Sequence, residues 1–485
     1  MINEGIQAFA GKRVLLLQGP VSTFFARLAK DLRNTGAEVF KVNFNAGDWF
    51  FYPRNAINYQ GTMAEWPAYF EALIQRLNID AILLFGDCRQ IHQDAHAIAD
   101  KHGLEIGVFE EGYVRPDYIT LERFGVNAYS QLSREPVHYQ EKTLVPKRYP
   151  VGNAYWAMIW YGFWYGSIAA LGKIFFRHYQ HHRPLSLLEL FPWIRSARRK
   201  QWYRWAERGI QKKLIRQWNK QFFLAPLQVF NDSQIRVHAD FDGVEHFIES
   251  TLLSFARHAP KDTLLVFKHH PMDRGYRDYT GLITKLARQA NVATRVLYIH
   301  DQHLPTLLNH VRGVVVVNST VGLSALHHGA PTIACGNAMY DIAGLTYQNG
   351  LDRFWQAAPD SRPDNGLYQR FRDHLVAKTQ LNGSFYKPLT QKDSCCGLIW
   401  NTHSPKVTPV PTPAPSPTPT PPPGVTPSPS PSPANSTRPR SRTLVLNKSV
   451  SPIKTGLPPV GQGENAFRHS FITSIFAIMH SILML

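Results

Sequence analysis

The sequence predicts an α/β protein of two Rossmann-like, doubly wound domains facing a cleft, with a helical aromatic and basic insertion and a disordered Pro-rich tail. Three observations predict it. Short apolar runs closed by Gly, Pro or polar residues alternate with helical stretches over residues 1–150 and again over 223–392. Residues 151–222 break that rhythm with dense aromatic and basic residues. From residue 393 to residue 485 the chain turns into low-complexity sequence rich in Pro, Ser and Thr, with a short apolar end.

In the first unit, residues 12–18 read as a buried strand closed by Gly19-Pro20, and 24–35 as a helix. Residues 38–44 give a second strand. Ala81–Phe85 gives a third, ending at Gly86-Asp87, and 105–109 a fourth, ending at a Glu110-Glu111-Gly112 turn. Strands alternating with helices predict a parallel sheet covered on both faces. Ligands of such sheets bind beyond the carboxyl ends of the strands, so Gln18, Asp87, Glu110 and Glu111 are expected on one rim. In the second unit, strands are expected at 227–230, Leu264–Lys268, 295–299, 313–317 and 331–335, with a helix at 321–328.

The chain carries a net charge of +18, unevenly spread. Residues 151–220 hold 13 Lys and Arg against two Glu, and seven of the 11 Trp. That balance points to an anionic partner. Tryptophans 156, 160, 164, 193, 202 and 205 suit a bilayer interface, and Arg195, Arg198, Arg199, Lys200 and Arg204 suit anionic headgroups. No nucleic-acid-binding module is evident. The four cysteines suggest neither a disulfide framework nor a zinc site, and no secretory signal opens the chain, which fits a reducing cytoplasm. The apolar run at 471–485 is shorter than the roughly 20 residues a spanning helix needs.

Three motifs carry chemistry. Glu110-Glu111-Gly112 sets two carboxylates side by side, where mutual repulsion raises one pKa and suits a general base. His270-Pro271 follows a strand, with Lys268 and His269 just before it and Arg274 just after. Asn318-Ser319-Thr320 leads into a helix, where hydroxyls and backbone N–H groups meet anions. Asp87 with Arg89, and Asp232 with Gln234 and Arg236, are rim carboxylates with basic neighbours. An acid in one domain facing phosphate-holding groups in the other is the plan of a GT-B glycosyltransferase.

These motifs resemble those of bacterial sialyltransferases that use CMP-sugars. More specifically, the chain resembles capsule polysaccharide biosynthesis proteins of the KpsS/LipB type. The resemblance lies in Gln18-Gly19-Pro20, Phe85-Gly86-Asp87-Cys88-Arg89, the run from Phe109 to Asp117, the run from Asp232 to Arg236, and the run from Lys268 to Gly275. It implies a retaining β-Kdo transferase that moves Kdo from CMP-Kdo to a phosphatidylglycerol-type lipid and starts a capsule linker. In that reading the first unit holds the acceptor and the second holds the nucleotide sugar. Glu110 or Glu111 is the base and Asp232 the nucleophile. His270, Ser319 and Thr320, with His269 and Asn318, hold the CMP phosphate. Lys268, Arg236 or Arg115 meets the Kdo carboxylate, and Gln18, Asp87, Arg89 and Gln234 complete the substrate site. No metal or cofactor is assigned, cationic and dipolar groups serving instead. The protein is expected to be cytoplasmic and peripheral on the inner membrane, alongside a second Kdo transferase and an export complex. An inverting CMP-sialic acid transferase and a non-catalytic export scaffold are the alternatives.

Overall fold

The computed structural model of the chain describes residues 5–179, 190–231, 235, 239–389 and 394–400. Asp232, Gln234, Arg236 and the tail from residue 401 lie outside the described residues. In chain order the strands are β1 (Arg13–Leu16), β2 (Glu38–Asn43), β3 (Ile57–Asn58), β4 (Ala81–Phe85), β5 (Glu105–Glu111), β6 (Tyr118–Arg123), β7 (Phe222–Pro226), β8 (Leu264–Lys268), β9 (Val296–Ile299), β10 (Gly313–Val316), β11 (Thr332–Ala334) and β12 (Gln380–Asn382).

The first sheet has the order β12-β6-β5-β4-β1-β2-β3 and the second β11-β10-β7-β8-β9. The second is parallel throughout. In the first, β6 and β12 run antiparallel at one edge. This departs from the all-parallel expectation. Helices cover both faces of each sheet, so Val14, Leu15 and Leu16 of β1 and Leu265, Val266 and Phe267 of β8 are all fully buried. The reversal of strand order falls between β1 and β4 in the first sheet, and between β7 and β10 in the second. Doubly wound sheets open a crevice at that point.

Two stretches sit differently from the boundaries the sequence suggests. After the Asn365–Thr379 helix the chain returns to the first unit, where β12 pairs with β6 and covers an otherwise open sheet edge. Residues 394–400 follow it. Cys396 and Leu398 enter the first-unit core, and Ile399 bonds Asn382. Buried Asp31 holds this segment by accepting from the Ser394 hydroxyl (2.7 Å) and from the N–H groups of Cys395 (2.7 Å) and Cys396 (2.8 Å). Burial alone would push this carboxyl up, but the bonds from Cys396, Ser394 and Cys395 outweigh it and hold it below the usual 3.8.

The aromatic and basic insertion is divided between the units. Its Tyr155–Leu171 helix packs on the Ala46–Phe51 helix of the first unit, with Trp49 and Ile168 in one apolar cluster. Its Leu190–Ala206 helix packs on the second. Arg195 Nε donates to the Gly275 carbonyl (2.5 Å), and Arg199 donates to the Arg274 carbonyl (2.9 Å). A Cβ on Gly275 would lie 2.2 Å from the Pro192 carbonyl oxygen, so only glycine admits the helix here. No described helix is long and apolar enough to cross a membrane.

Replacing Asp31 by Ala leaves the buried Cys396 N–H, and the half-buried Ser394 hydroxyl, without this acceptor. It should lower the urea-unfolding free energy at pH 7 by about 1–3 kcal/mol. Because the folded pKa lies below the unfolded one, the native contribution is present above pH 4 and fades as pH falls through the folded value. The gap between wild type and Asp31→Ala should therefore narrow at pH 3. Identical urea curves at pH 7 would show that residues 394–396 do not need this carboxylate.

Candidate active site

Between the carboxyl ends of the two sheets lies a cavity of about 780 Å³. The first unit lines it with Phe85, Gly86, Asp87, Cys88, Arg89, Glu110, Glu111, Tyr113, Arg115 and Asn127. The second unit contributes Gln228, Val229, Asn231, His270, Asn318, Ser319, Thr320 and Val321. The acid motif, His270 and the hydroxyl pair therefore share one space.

On the first wall, β5 runs two residues further than expected. Glu110 and Glu111 are its last two residues, opposite Thr120 and Ile119 of β6, rather than a turn. Neighbours on a strand project to opposite faces, which gives the two carboxylates different surroundings. Glu111 accepts from the Tyr386 hydroxyl (2.9 Å), which arrives from beyond β12. Glu110 accepts from the Glu111 N–H (2.9 Å). Desolvation, followed by repulsion from Glu111 and Asp87, lifts its carboxyl to about 7 against the pull of that N–H and of Arg115. Burial thus leads, where the sequence had pointed to like-charge repulsion. Gly112 is required by a close approach: a Cβ there would lie 2.0 Å from the Tyr118 carbonyl oxygen. The Tyr113 hydroxyl donates to buried Glu122 (2.7 Å), itself lifted to about 7 chiefly by desolvation. Asp87 fastens the loop after β6 by accepting from the Val126 N–H (2.8 Å). Arg115 Nε donates to the Gly112 carbonyl (3.1 Å).

The described second wall is made of His270, Ser319, Thr320 and side-chain amides. His270 Nδ1 accepts from the Met272 N–H (3.2 Å), which places the proton of the neutral ring on Nε2. Ser319 Oγ accepts from the Val321 N–H (3.2 Å) at the start of the Val321–His327 helix. The Ser319 carbonyl is held by the buried Tyr340 hydroxyl (2.5 Å). Asn318 accepts from Gln228 Nε2 (3.2 Å), a bond lying across the β7/β10 crevice.

Three expected site residues stand behind the walls. Lys268 ends β8 inside the fold, and its Nζ donates to the His300 carbonyl (3.0 Å). His269 is buried against Tyr298, and desolvation followed by the charges of His300 and His270 lowers its pKa to about 3. The alternation of side chains past the strand end sends His270 into the cavity and His269 into the core. Gln18 is fully buried and reaches the cavity through Arg89, whose guanidinium donates to Gln18 Oε1 (2.5 Å). Asp232, Gln234 and Arg236 lie outside the described residues, next in the chain to cavity-lining Asn231.

Gln228, Tyr179 and Tyr386 were not anticipated. The strand expected at 227–230 is β7 at Phe222–Pro226, and with β7 placed there Gln228 falls on the rim like the other site residues. No sequence signal marks Tyr386, which comes from 275 residues beyond Glu111. The assembled site offers a carboxyl that ionises near neutrality, two arginines, and a facing wall of hydrogen-bond donors suited to a phosphate. Among the described residues no cluster of His, Cys, Asp and Glu fits a metal.

A family model described as capsule polysaccharide biosynthesis protein matches residues 80–386. The chain is 42% identical over 381 residues to the capsule polysaccharide export protein KpsS of Escherichia coli, spanning 78% of this chain and 97% of that protein. It is 40% identical over 388 residues to the capsule polysaccharide modification protein LipB of Neisseria meningitidis serogroup B, spanning 78% and 92%. Among solved structures, Thermosulfurimonas dismutans KpsC, a beta Kdo 2,7 transferase, matches with 16% identity and a TM-score of 0.39 over 76% of this chain and 92% of that one.

The Glu110 carboxyl, raised from 4.5 to about 7, is more easily charged in the unfolded chain than in the fold. Its contribution is favourable below pH 4.5 and is lost as pH rises through 7. Glu110→Gln should therefore stabilise the protein at pH 8 by about 1 kcal/mol, with cavity water moderating the gain, and leave it unchanged at pH 4.5. Thermal unfolding at the two pH values measures this. A lower melting temperature for the variant at pH 8 would contradict it.

Proposed function

The chain belongs to the capsule polysaccharide biosynthesis protein family, and from that premise we propose that it is a glycosyltransferase that moves Kdo from CMP-Kdo to a phosphatidylglycerol-type lipid with retention. The observation that carries the reading is a near-neutral carboxyl, Glu110, sharing one cavity with His270, Ser319 and Thr320. The four groups come from opposite units and have complementary uses.

In this mechanism His270 Nε2–H and the Ser319 and Thr320 hydroxyls hold the CMP phosphate and stabilise the charge it gains on departure. Arg115, beside Glu110, pairs with the Kdo carboxylate. The Asp232 carboxylate attacks the anomeric carbon as the bond to the phosphate oxygen breaks, giving a glycosyl ester and CMP. Glu110 then takes the proton from the lipid hydroxyl, whose oxygen attacks the anomeric carbon from the face CMP vacated and displaces the Asp232 carboxylate. Between the two acids, Glu110 suits the base better, since Glu111 is committed to Tyr386.

The divided insertion suits a lipid acceptor. Trp156, Trp160, Trp202 and Trp205 are 75%, 60%, 60% and 63% exposed, on helices that also carry Arg195, Arg198, Lys200 and Arg204. Aromatic rings among cations are the chemistry of an anionic bilayer interface. In this reading the protein works on the cytoplasmic face of the inner membrane, next to the capsule export complex.

With CMP-Kdo generated in situ and a fluorescent lysophosphatidylglycerol, mass analysis should find one added Kdo, and NMR should find the anomeric configuration of the donor kept. An inverted product would transfer the reading to the CMP-sialic acid class. As a base must be deprotonated, kcat/KM should rise with pH through about 7 and then level off. Glu110→Gln should lower kcat by about 10²–10⁴-fold, whereas His270→Ala should mainly raise KM for CMP-Kdo. Full activity in both variants would leave only a scaffold. In sedimentation with phosphatidylglycerol vesicles, the wild type should pellet and a variant with Ser at Trp156, Trp160, Trp202 and Trp205 should stay in solution. Equal pelleting would remove these helices from the membrane contact.

A further inference from the structure

One cation in the cavity has no part in the transfer chemistry above. Arg89 stands at the end of the first unit's crevice, between the carboxyl ends of β1 and β4. It forms no ion pair among the described residues, and its guanidinium lies 5.8 Å from the Phe85 ring centre. Met63, Ile91 and Tyr179 line the same part of the wall, giving a cation on an apolar floor. Arg115 differs in lying beside the carboxylates, where its charge is felt by Glu110.

Arg89 is also braced from behind. Gln18 Oε1 accepts from Arg89 and from the Tyr179 hydroxyl (2.9 Å). Gln18 Nε2 donates to Asp48 Oδ2 (3.1 Å) and faces the Tyr165 hydroxyl (3.3 Å). The Tyr165 hydroxyl donates to Asp48 Oδ1 (3.0 Å), and Asn45 Nδ2 donates to Tyr165 (2.7 Å). Asp48 thus fixes which end of the amide faces the arginine. Flipping Gln18 would set its NH₂ against a guanidinium and leave Asp48 facing an oxygen. Gln18 stands between the Asp48 carboxylate and Arg89, so the two do not pair directly. Tyr165 belongs to the Tyr155–Leu171 helix, whose outer face carries Trp156 and Trp160. One helix therefore supplies an aromatic outer surface and the inner brace of the cavity arginine.

Resting on the lipid-acceptor reading, we propose that Arg89 grips the phosphodiester of the acceptor's headgroup and makes the enzyme selective for a phosphate-bearing lipid, with Gln18 as the residue that positions it. A planar guanidinium matches two phosphate oxygens in a way that an ammonium does not. With the acyl chain at the aromatic helices, the headgroup enters beside Tyr179 and its phosphate meets Arg89, which leaves the terminal hydroxyl to reach toward Glu110.

The test compares lysophosphatidylglycerol with a monoacylglycerol of the same acyl chain, using the full-length protein and CMP-Kdo. A charge-assisted pair predicts that the wild type prefers the phospholipid by about 10–100-fold in kcat/KM. Arg89→Ala should bring that ratio within about threefold, Arg89→Lys should leave it intermediate, and Gln18→Met should raise KM for the phospholipid but not for CMP-Kdo. Equal losses on the two acceptors, or a raised KM for CMP-Kdo in Arg89→Ala, would overturn the assignment. A wild type that modifies neither acceptor would remove the transferase reading instead. Calorimetric titration with dihexanoylphosphatidylglycerol below its micelle point then decides the Arg89 claim by itself. Binding that weakens at least tenfold in Arg89→Ala supports it, and equal affinity overturns it.

Discussion

Each sheet has a crevice where its strand order reverses, and each crevice is bridged by a buried side-chain amide. Gln18 joins the end of β1 to Arg89 beyond β4, and Gln228 joins the end of β7 to Asn318 beyond β10. At such points the flanking helices leave on opposite faces, and polar groups are exposed that neither sheet can satisfy. An amide carries a donor and an acceptor on one rigid plane, and Gln18 uses both, so it fixes the direction of what it touches. The cavity between the units exists because both crevices open toward it.

The electrostatics follow from that placement. The first wall concentrates carboxylates in a poorly hydrated setting, and Glu110 is consequently held near neutrality. The second wall presents an imidazole, hydroxyls and amides, with His269 kept uncharged behind it by burial first and neighbouring rings next. Among the described residues, the charged groups that line the cavity therefore come from the first unit.

The insertion belongs to both units. One helix is keyed to the first through Tyr165 and Asp48. Another is keyed to the second through Arg195, Arg199 and buried Glu207, which bonds His300 at 2.5 Å. Whatever the outer aromatic faces touch is thereby connected to both walls. Capsule family membership gives this arrangement a setting in polysaccharide biosynthesis.

Much of the fold was legible in the sequence because buried parallel strands are short apolar runs with sharp ends. β4 and β8 fall at the expected residues, and the acid, His-Pro and hydroxyl motifs all stand at strand ends. What the sequence could not carry was set by contacts between residues distant in the chain. The pairing of β12 with β6, the Tyr386 bond to Glu111, and the Asp31 clasp on residues 394–396 have no local signature. Nor does composition distinguish His269 from His270 or Glu110 from Glu111. Backbone alternation turns His269 toward the core and His270 toward the cleft, and gives Glu110 and Glu111, both on the cavity wall, different partners. Residue types and their positions at strand ends were determined by sequence alone. Tertiary structure decided which of them face each other, and how dry their surroundings are, because burial belongs to the packed fold and not to the residue.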